Sequence, residues 1–207
     1  MTEPVSRRAA VGAAYDSWTD EYVARLGSVD QMAAQDRATI SSWRDSTRGL
    51  LLDAGCGPGH WTDLLGDGGR RATLGVDGSA GFLASAQERF PHVPLAQGDL
   101  AALPVATASV GGVLAWFSII HTPPAGVPAI LHELARVLVP GGSLLLGFFD
   151  GVPGQPFDHT VTTAWWWSAE VLGDLLPEHG FVVGRAAARQ DPGARRRQGE
   201  LVATLGP

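Results

Sequence analysis

The chain has no lysine and no asparagine, and Cys56 is its one cysteine among 207 residues. Without lysine, no side-chain amine is available as a nucleophile or a Schiff base. One cysteine cannot close an intramolecular disulfide. No basic residue lies near Cys56 in sequence to activate it, so it reads as a small apolar residue in a tight loop. No apolar run approaches the roughly 20 residues that a membrane-spanning helix needs. The N-terminal stretch, with Glu3, Arg7 and Arg8, lacks the apolar centre of a signal peptide. A cytoplasmic location and no membrane partner are therefore expected. Basic residues are also scarce: fifteen, all arginine, against 21 Asp and Glu, for a net charge of −6. Binding to a phosphate backbone usually leaves a basic stripe. The basic cluster Arg195–Arg197 reads instead as a solvated turn between strands, so nucleic acid is not an expected partner.

What is present is an alternation of strand and helix patterns. Residues 6–44 read as two helices, with Tyr15, Trp18 and Tyr22 on one face of the first. Apolar strand patterns follow at 49–54, 72–76, 93–97, 110–116 and 143–149, separated by helical segments. Ser79 caps a helix carrying Phe82, Leu83, Ala86 and Phe90. Val127, Ile130, Leu131, Leu134, Val137 and Leu138 form a helical stripe that Pro140-Gly141-Gly142 closes. Ser168 caps a helix running to about His179, with Gly180 as its stop. Residues 181–189 and 200–205 are strands with no helix between them. They should therefore pair antiparallel, after a sheet that is otherwise parallel with helices on both faces. The expected fold is α/β and Rossmann-like: a seven-stranded, mostly parallel sheet with an antiparallel last strand. Residues 1–207 read as one domain, with residues 1–48 as an N-terminal helical lid.

The densest signal is Leu50-Leu51-Leu52-Asp53-Ala54-Gly55-Cys56-Gly57-Pro58-Gly59, a buried strand entering a glycine turn and then a helix. Glycine belongs where φ is positive or where a ligand meets the backbone. The carboxyl ends of strands in open α/β sheets are where ligands bind. Dinucleotide folds favour G-x-G-x-x-G, whereas here Gly55, Gly57 and Gly59 are spaced G-x-G-x-G. The next strand ends in Gly75-Val76-Asp77-Gly78-Ser79, and an acid there can accept hydrogen bonds from ribose hydroxyls. Asp77 alone does not separate two ribose-bearing ligands.

Together with Gly98-Asp99-Leu100 and Leu134-Ala135-Arg136-Val137-Leu138-Val139-Pro140-Gly141-Gly142, these segments make the chain resemble the class I S-adenosylmethionine (SAM)-dependent methyltransferases. It is most similar to small bacterial members related to quinone-biosynthesis C-methyltransferases. Tyr15-Asp16 through Tyr22 looks like that family's aromatic N-terminal segment. The resemblance implies SAM as cofactor, S-adenosylhomocysteine (SAH) as product, and a role for each matching residue. Gly55 and Gly57 admit the methionine part, and Asp53 supports its ammonium through the loop or a water. Asp77 holds the ribose, with Gly78 and Ser79 beside the adenine. Asp99 takes the adenine amino group and Leu100 meets the ring. Trp116 and Phe117 flank the methyl donor, and Tyr15 closes over the methionine end. Plainer readings stand beside these. Asp53 and Asp99 also suit turns, Asp77 suits a helix cap, and Tyr15, Trp18 and Tyr22 suit a helix core face.

Transfer from a sulfonium needs mainly orientation, plus a base where the acceptor must lose a proton. Of six histidines, His132 and His179 fall on a helix's polar side and C-terminus, His92 in a Pro-flanked turn, and His60 beside the glycine loop in a structural place. His121, after the fourth strand, and His159, in the connection 150–167, are the candidate catalytic residues. That connection, ending in Trp165-Trp166-Trp167, reads as part of an acceptor-pocket lid. The Asn/Asp-Pro-Pro-aromatic motif of methyltransferases acting on DNA bases or glutamine is replaced by Trp116-Phe117-Ser118-Ile119, and no acid cluster marks a metal site. The expected acceptor is a small, partly apolar molecule, handled by a monomer or homodimer. The alternatives are a SAM-binding protein of the same fold without methyl transfer, such as a cyclase or binding module, and an NAD(P)-dependent oxidoreductase.

Overall fold

The computed structural model describes the backbone of residues 3–207 and the side chains of residues 10–207. Residues 1 and 2 of the expected 1–48 lid, and the side chains of Glu3, Arg7 and Arg8, lie outside the described set.

Three helices precede the sheet: α1 (Glu3–Asp16), α2 (Thr19–Leu26) and α3 (Ala34–Ser46). The sequence pattern predicts two. The extra break falls at Ser17-Trp18, where the Thr19 hydroxyl donates to the Tyr15 and Asp16 carbonyls and so satisfies helix-end acceptors locally. Trp18 therefore sits at the break, away from the Tyr15–Tyr22 contact at 5.9 Å.

The alternating units are β1 (Leu51–Ala54), α4 (His60–Gly66), β2 (Thr73–Asp77), α5 (Ala80–Arg89), β3 (Leu95–Gln97), β4 (Val110–Trp116), α6 (Val127–Val137) and β5 (Leu138–Asp150). A small hairpin of β6 (Pro156–Asp158) and β7 (Thr163–Trp165) follows, then α7 (Ala169–Leu175), β8 (Phe181–Arg189) and β9 (Arg197–Leu205). The seven-stranded sheet has the order β3-β2-β1-β4-β5-β9-β8. β1 to β5 pair in parallel, and β9 is antiparallel to both its neighbours. The mostly parallel sheet with an antiparallel last strand is as expected.

Pro140-Gly141-Gly142 does not close α6. The chain is already extended at Leu138, which pairs with Val110, and the parallel ladder resumes at Gly112 and Ser143 after an irregularity. Pro140 lacks the N–H that a regular ladder uses, and it sits in that irregular stretch.

Period-two alternation sorts the strands between two cores. Leu52, Val113, Leu144 and Leu146 pack with Ile130, Leu134 and Leu172 from α6 and α7. Leu51, Leu114 and Leu145 pack on the other face with Ile40, Trp43, Trp61 and Leu65 from α3 and α4. The parallel strands all end on one edge, and α1 and α2 lie over that edge against α5.

Candidate active site

A cavity of about 1070 Å³ opens at this edge. One end is made by the turn after β1. Gly55 has φ +84°, and a methyl there would run into the Ser118 side chain. Gly57 has φ +53°, with no crowding closer than 3.8 Å, so it is the backbone conformation that calls for glycine. The Gly55 and Cys56 N–H groups both donate to the Val76 carbonyl, at 2.7 and 3.0 Å, which ties the turn to β2. Asp77, the last residue of β2, completes the tie. Its two carboxylate oxygens accept from the Gly57 and Ser79 N–H groups, each at 2.8 Å. Burial raises its pKa, and those N–H bonds oppose the rise. The Gly78 N–H also bonds to the carboxylate, whose roughly four lone-pair sites exceed these three donors and leave room for a ligand hydroxyl. Gly78, Gln97, Gly98, Asp99 and Leu100 continue this wall.

The other end is built from distant elements. Phe117 follows β4 at φ +55°. That is a strained conformation for an aromatic residue, of the kind that clusters at functional sites. Its ring packs against Trp116 at 5.5 Å and Phe149 at 4.8 Å. His121 lies deeper, 6% exposed. Its Nδ1 is 2.9 Å from the Thr163 carbonyl oxygen and its Nε2 is 2.8 Å from the Tyr15 hydroxyl. The Trp165 N–H donates to the Ile120 carbonyl at 2.9 Å, which docks β7 beside His121. The His159 ring stands 5.0 Å from that of His121.

Burial dominates the electrostatics here. It lowers the His121 pKa, against the opposing bond to Thr163. It pushes His159 down to about 4, helped by coupling to His121 and by the nearby Arg196 charge. It raises Tyr15 well above the usual phenol value, with Tyr22 and Asp77 adding to the rise.

Of the sequence candidates, Tyr15, Gly55, Gly57, Asp77, Gly78, Asp99, Leu100, Trp116, Phe117, His121 and His159 all line this one cavity. Asp53 and Ser79 do not. Asp53 is 1% exposed behind the turn, where its carboxylate accepts from the Thr62 hydroxyl at 2.7 Å; burial first, and Asp77 among the lesser causes, push it up to about 7. Any effect on a ligand would pass through the turn. The Ser79 hydroxyl accepts from the Phe82 N–H as the cap of α5 and donates to Asp16.

The 150–167 connection is divided in a way the sequence does not signal. His159, Thr160 and Val161 line the cavity. Trp165 and Trp167 are buried, and Trp166 lies on Phe157 with ring centroids 4.3 Å apart. The tryptophans thus pack the hairpin against the sheet and leave the cavity wall to its tip. His60, which the sequence gives a structural place beside the glycine loop, also faces the cavity. It is 4% exposed and has no partner on either ring nitrogen among the described residues. Burial pushes it down to about 4.

Residues 51–142 match the model of a family described as a methyltransferase domain. The chain is 36% identical over 141 residues to a probable SAM-dependent methyltransferase of Mycolicibacterium smegmatis, covering 64% of this chain and 52% of that one. It is 35% identical over 124 residues to the demethylmenaquinone methyltransferase of Beutenbergia cavernae, covering 59% and 50%. The chain thus spans about half the length of these relatives. In fold it is similar to the Burkholderia thailandensis 1,6-didemethyltoxoflavin N1-methyltransferase, solved with its acceptor and SAH. The TM-score is 0.80 at 19% identity, over 100% of this chain and 92% of that one.

Proposed function

We propose, from the match of residues 51–142 to a methyltransferase-domain family and the likeness to SAM-dependent relatives, that the chain is a class I SAM-dependent methyltransferase that transfers a methyl group from SAM to a small-molecule acceptor and releases SAH. The observation that carries this reading is the arrangement around Asp77. A glycine turn in left-handed conformation and a ribose-competent carboxylate share one wall of a 1070 Å³ cavity. Ligand pockets of about 300–1000 Å³ are usual, so this one suits a nucleoside ligand and a second small molecule together. The residues fit SAM. Gly55 and Gly57 would lie against the methionine part, Asp77 would accept from the ribose hydroxyls, and Gly78, Asp99 and Leu100 would frame the adenine. SAM, when bound, supplies a methyl carbon on a positively charged sulfur.

The protein's own contribution is to orient, exclude water and handle a proton. Trp116, Phe117 and Phe149 supply apolar walls between the two ends of the cavity. His121 and His159, both held neutral by burial, are the groups able to take a proton from an acceptor. Residues 1–207 act as one unit in this reading. Residues 1–48 serve as the lid that brings Tyr15 to the cavity, and the acceptor-wall role of 150–167 narrows to His159, Thr160 and Val161.

The test is SAH formation from SAM, followed by mass spectrometry across a panel of phenols, hydroquinones and nitrogen heterocycles. Acceptor-dependent SAH is expected. Tight SAM binding with conversion of a panel compound and no SAH would instead assign a cyclase-like or binding role to the same fold.

A further inference from the structure

The three polar groups Tyr15 Oη, His121 Nε2 and Nδ1, and Thr163 O form one hydrogen-bonded line. Its polarity follows from chemistry. A carbonyl oxygen can only accept, so His121 Nδ1 carries a proton. The buried imidazole is neutral, which leaves Nε2 as a bare lone pair, and the Tyr15 O–H donates into it. Both ring nitrogens of His121 are thereby engaged by the protein, and the residue is 6% exposed. An acceptor molecule does not meet His121 while this line is intact. It meets Tyr15, which lines the cavity and whose hydroxyl has no hydrogen bond besides that to His121 among the described residues.

We propose that Tyr15 is the catalytic residue that touches the methyl acceptor, and that His121 withdraws the proton through it. The proposal rests on the methyl-transfer reading above. As the acceptor's X–H proton passes to Tyr15 Oη, the phenol's own proton passes to His121 Nε2, and tyrosine ends the step neutral. The acceptor atom shares its freed electron pair with the methyl carbon, and the carbon–sulfur pair stays with the departing thioether. His121 is left as an imidazolium still bonded to Thr163 O, and it returns the proton to solvent after product leaves. Buried Tyr15 strongly resists ionising, so the two proton shifts occur together.

The groups facing the pair are Tyr22 and Asp77, which both oppose tyrosinate, and His159, whose ring faces His121. The matching acceptor carries a mildly acidic proton on an uncharged molecule: a phenolic O–H, a ring N–H or an enolisable C–H. A carboxylic acid, already ionised at neutral pH, gives the relay nothing to remove. His121 is a positioning and proton-storing residue in this scheme, and α1 places the catalytic group.

The relay is testable without knowing the natural acceptor. The full-length protein, saturated with SAH, is titrated with 4-nitrophenol below that probe's own pKa, and the yellow phenolate is read by absorbance. The wild type should bind the probe with its apparent pKa lowered by about one unit, a tenfold change in ionisation. Tyr15→Phe and His121→Gln should show no phenolate enhancement, with any fall in SAH affinity well short of that tenfold loss of ionisation. Circular dichroism verifies folding, and His121→Gln keeps a donor for Thr163 should Tyr15→Phe prove unstable. Equal phenolate fractions in wild type and variants, no binding of the probe, or a fall in SAH affinity as large as the loss of phenolate would overturn the relay. The last result would leave Tyr15 as a lid alone. Absence of SAH binding by the wild type would instead overturn the methyl-transfer reading beneath it.

Discussion

The two ends of the cavity are built by different means. The end at Gly55–Gly57 and Asp77 is made of backbone: left-handed glycines, N–H groups and the carboxyl edge of a parallel sheet, within 23 residues of sequence from Gly55 to Asp77. The end at His121 is made of side chains drawn from α1, the segment after β4 and the β6–β7 hairpin. Its central hydrogen bond joins residues 106 positions apart. The backbone end can hold a ligand part shared by many proteins. The side-chain end can change its chemistry by single substitutions. Changes at the first should therefore strike SAH binding, and changes at the second should strike acceptor chemistry.

The largest expected effect is at Gly55. Alanine there must adopt left-handed φ, at a cost of about 1–2 kcal/mol, and must also displace Ser118. Gly55→Ala should abolish measurable SAH binding by calorimetry, while Gly57→Ala, whose methyl meets nothing nearer than the Phe82 ring at 3.8 Å, should lose less. If both bind SAH normally, the backbone end does not hold the ligand. Next is Asp77→Ala, which removes charge-assisted bonds worth roughly 1.5–3 kcal/mol each. SAH affinity should fall by about one to two orders of magnitude. Affinity unchanged in a folded variant would leave Asp77 as a loop tie only.

Smaller effects concern pH and stability. His60 and His159 have folded-state pKa values lowered to about 4. As pH falls below the unfolded value of about 6.5, the unfolded chain takes up protons first and stability is lost until the folded values are reached. His159→Phe should flatten part of that loss in urea denaturation between those limits, with SAH affinity held. A loss as steep as in wild type would show that His159 is not buried neutral. Asp53 has the opposite sign. Its folded pKa is raised to about 7, so its stability contribution is present at low pH and declines as pH rises from the unfolded carboxylate value through about 7. Asp53→Asn should accept from Thr62 with its amide oxygen and lessen that decline. An unchanged pH profile would place Asp53's ionisation elsewhere.

The same contrast explains what could be read from sequence. Asp53 to Gly59 and Asp77 are legible because their meaning is local: a strand, a turn needing positive φ, a helix start. The antiparallel ending follows from a missing helix between β8 and β9. The tie between Tyr15 and His121 carries no local mark, because it depends on how α1 folds back across the sheet edge. The hairpin Pro156–Trp165 was hidden for a similar reason. Trp165 and Trp167 are as compatible with a lid as with a core by composition; the backbone bonds of Trp165 to Ile120 and of Trp167 to Phe149 and Gly151 send them inward. The third N-terminal helix was missed because the Thr19 hydroxyl, rather than a glycine or proline, marks the break.

The most direct test of the central claim is calorimetric titration of the wild-type protein with SAH and, separately, with NAD and NADP. Saturable binding of SAH and none of either dinucleotide is the predicted result. Tight binding of NAD or NADP with none of SAH would contradict the account at its root.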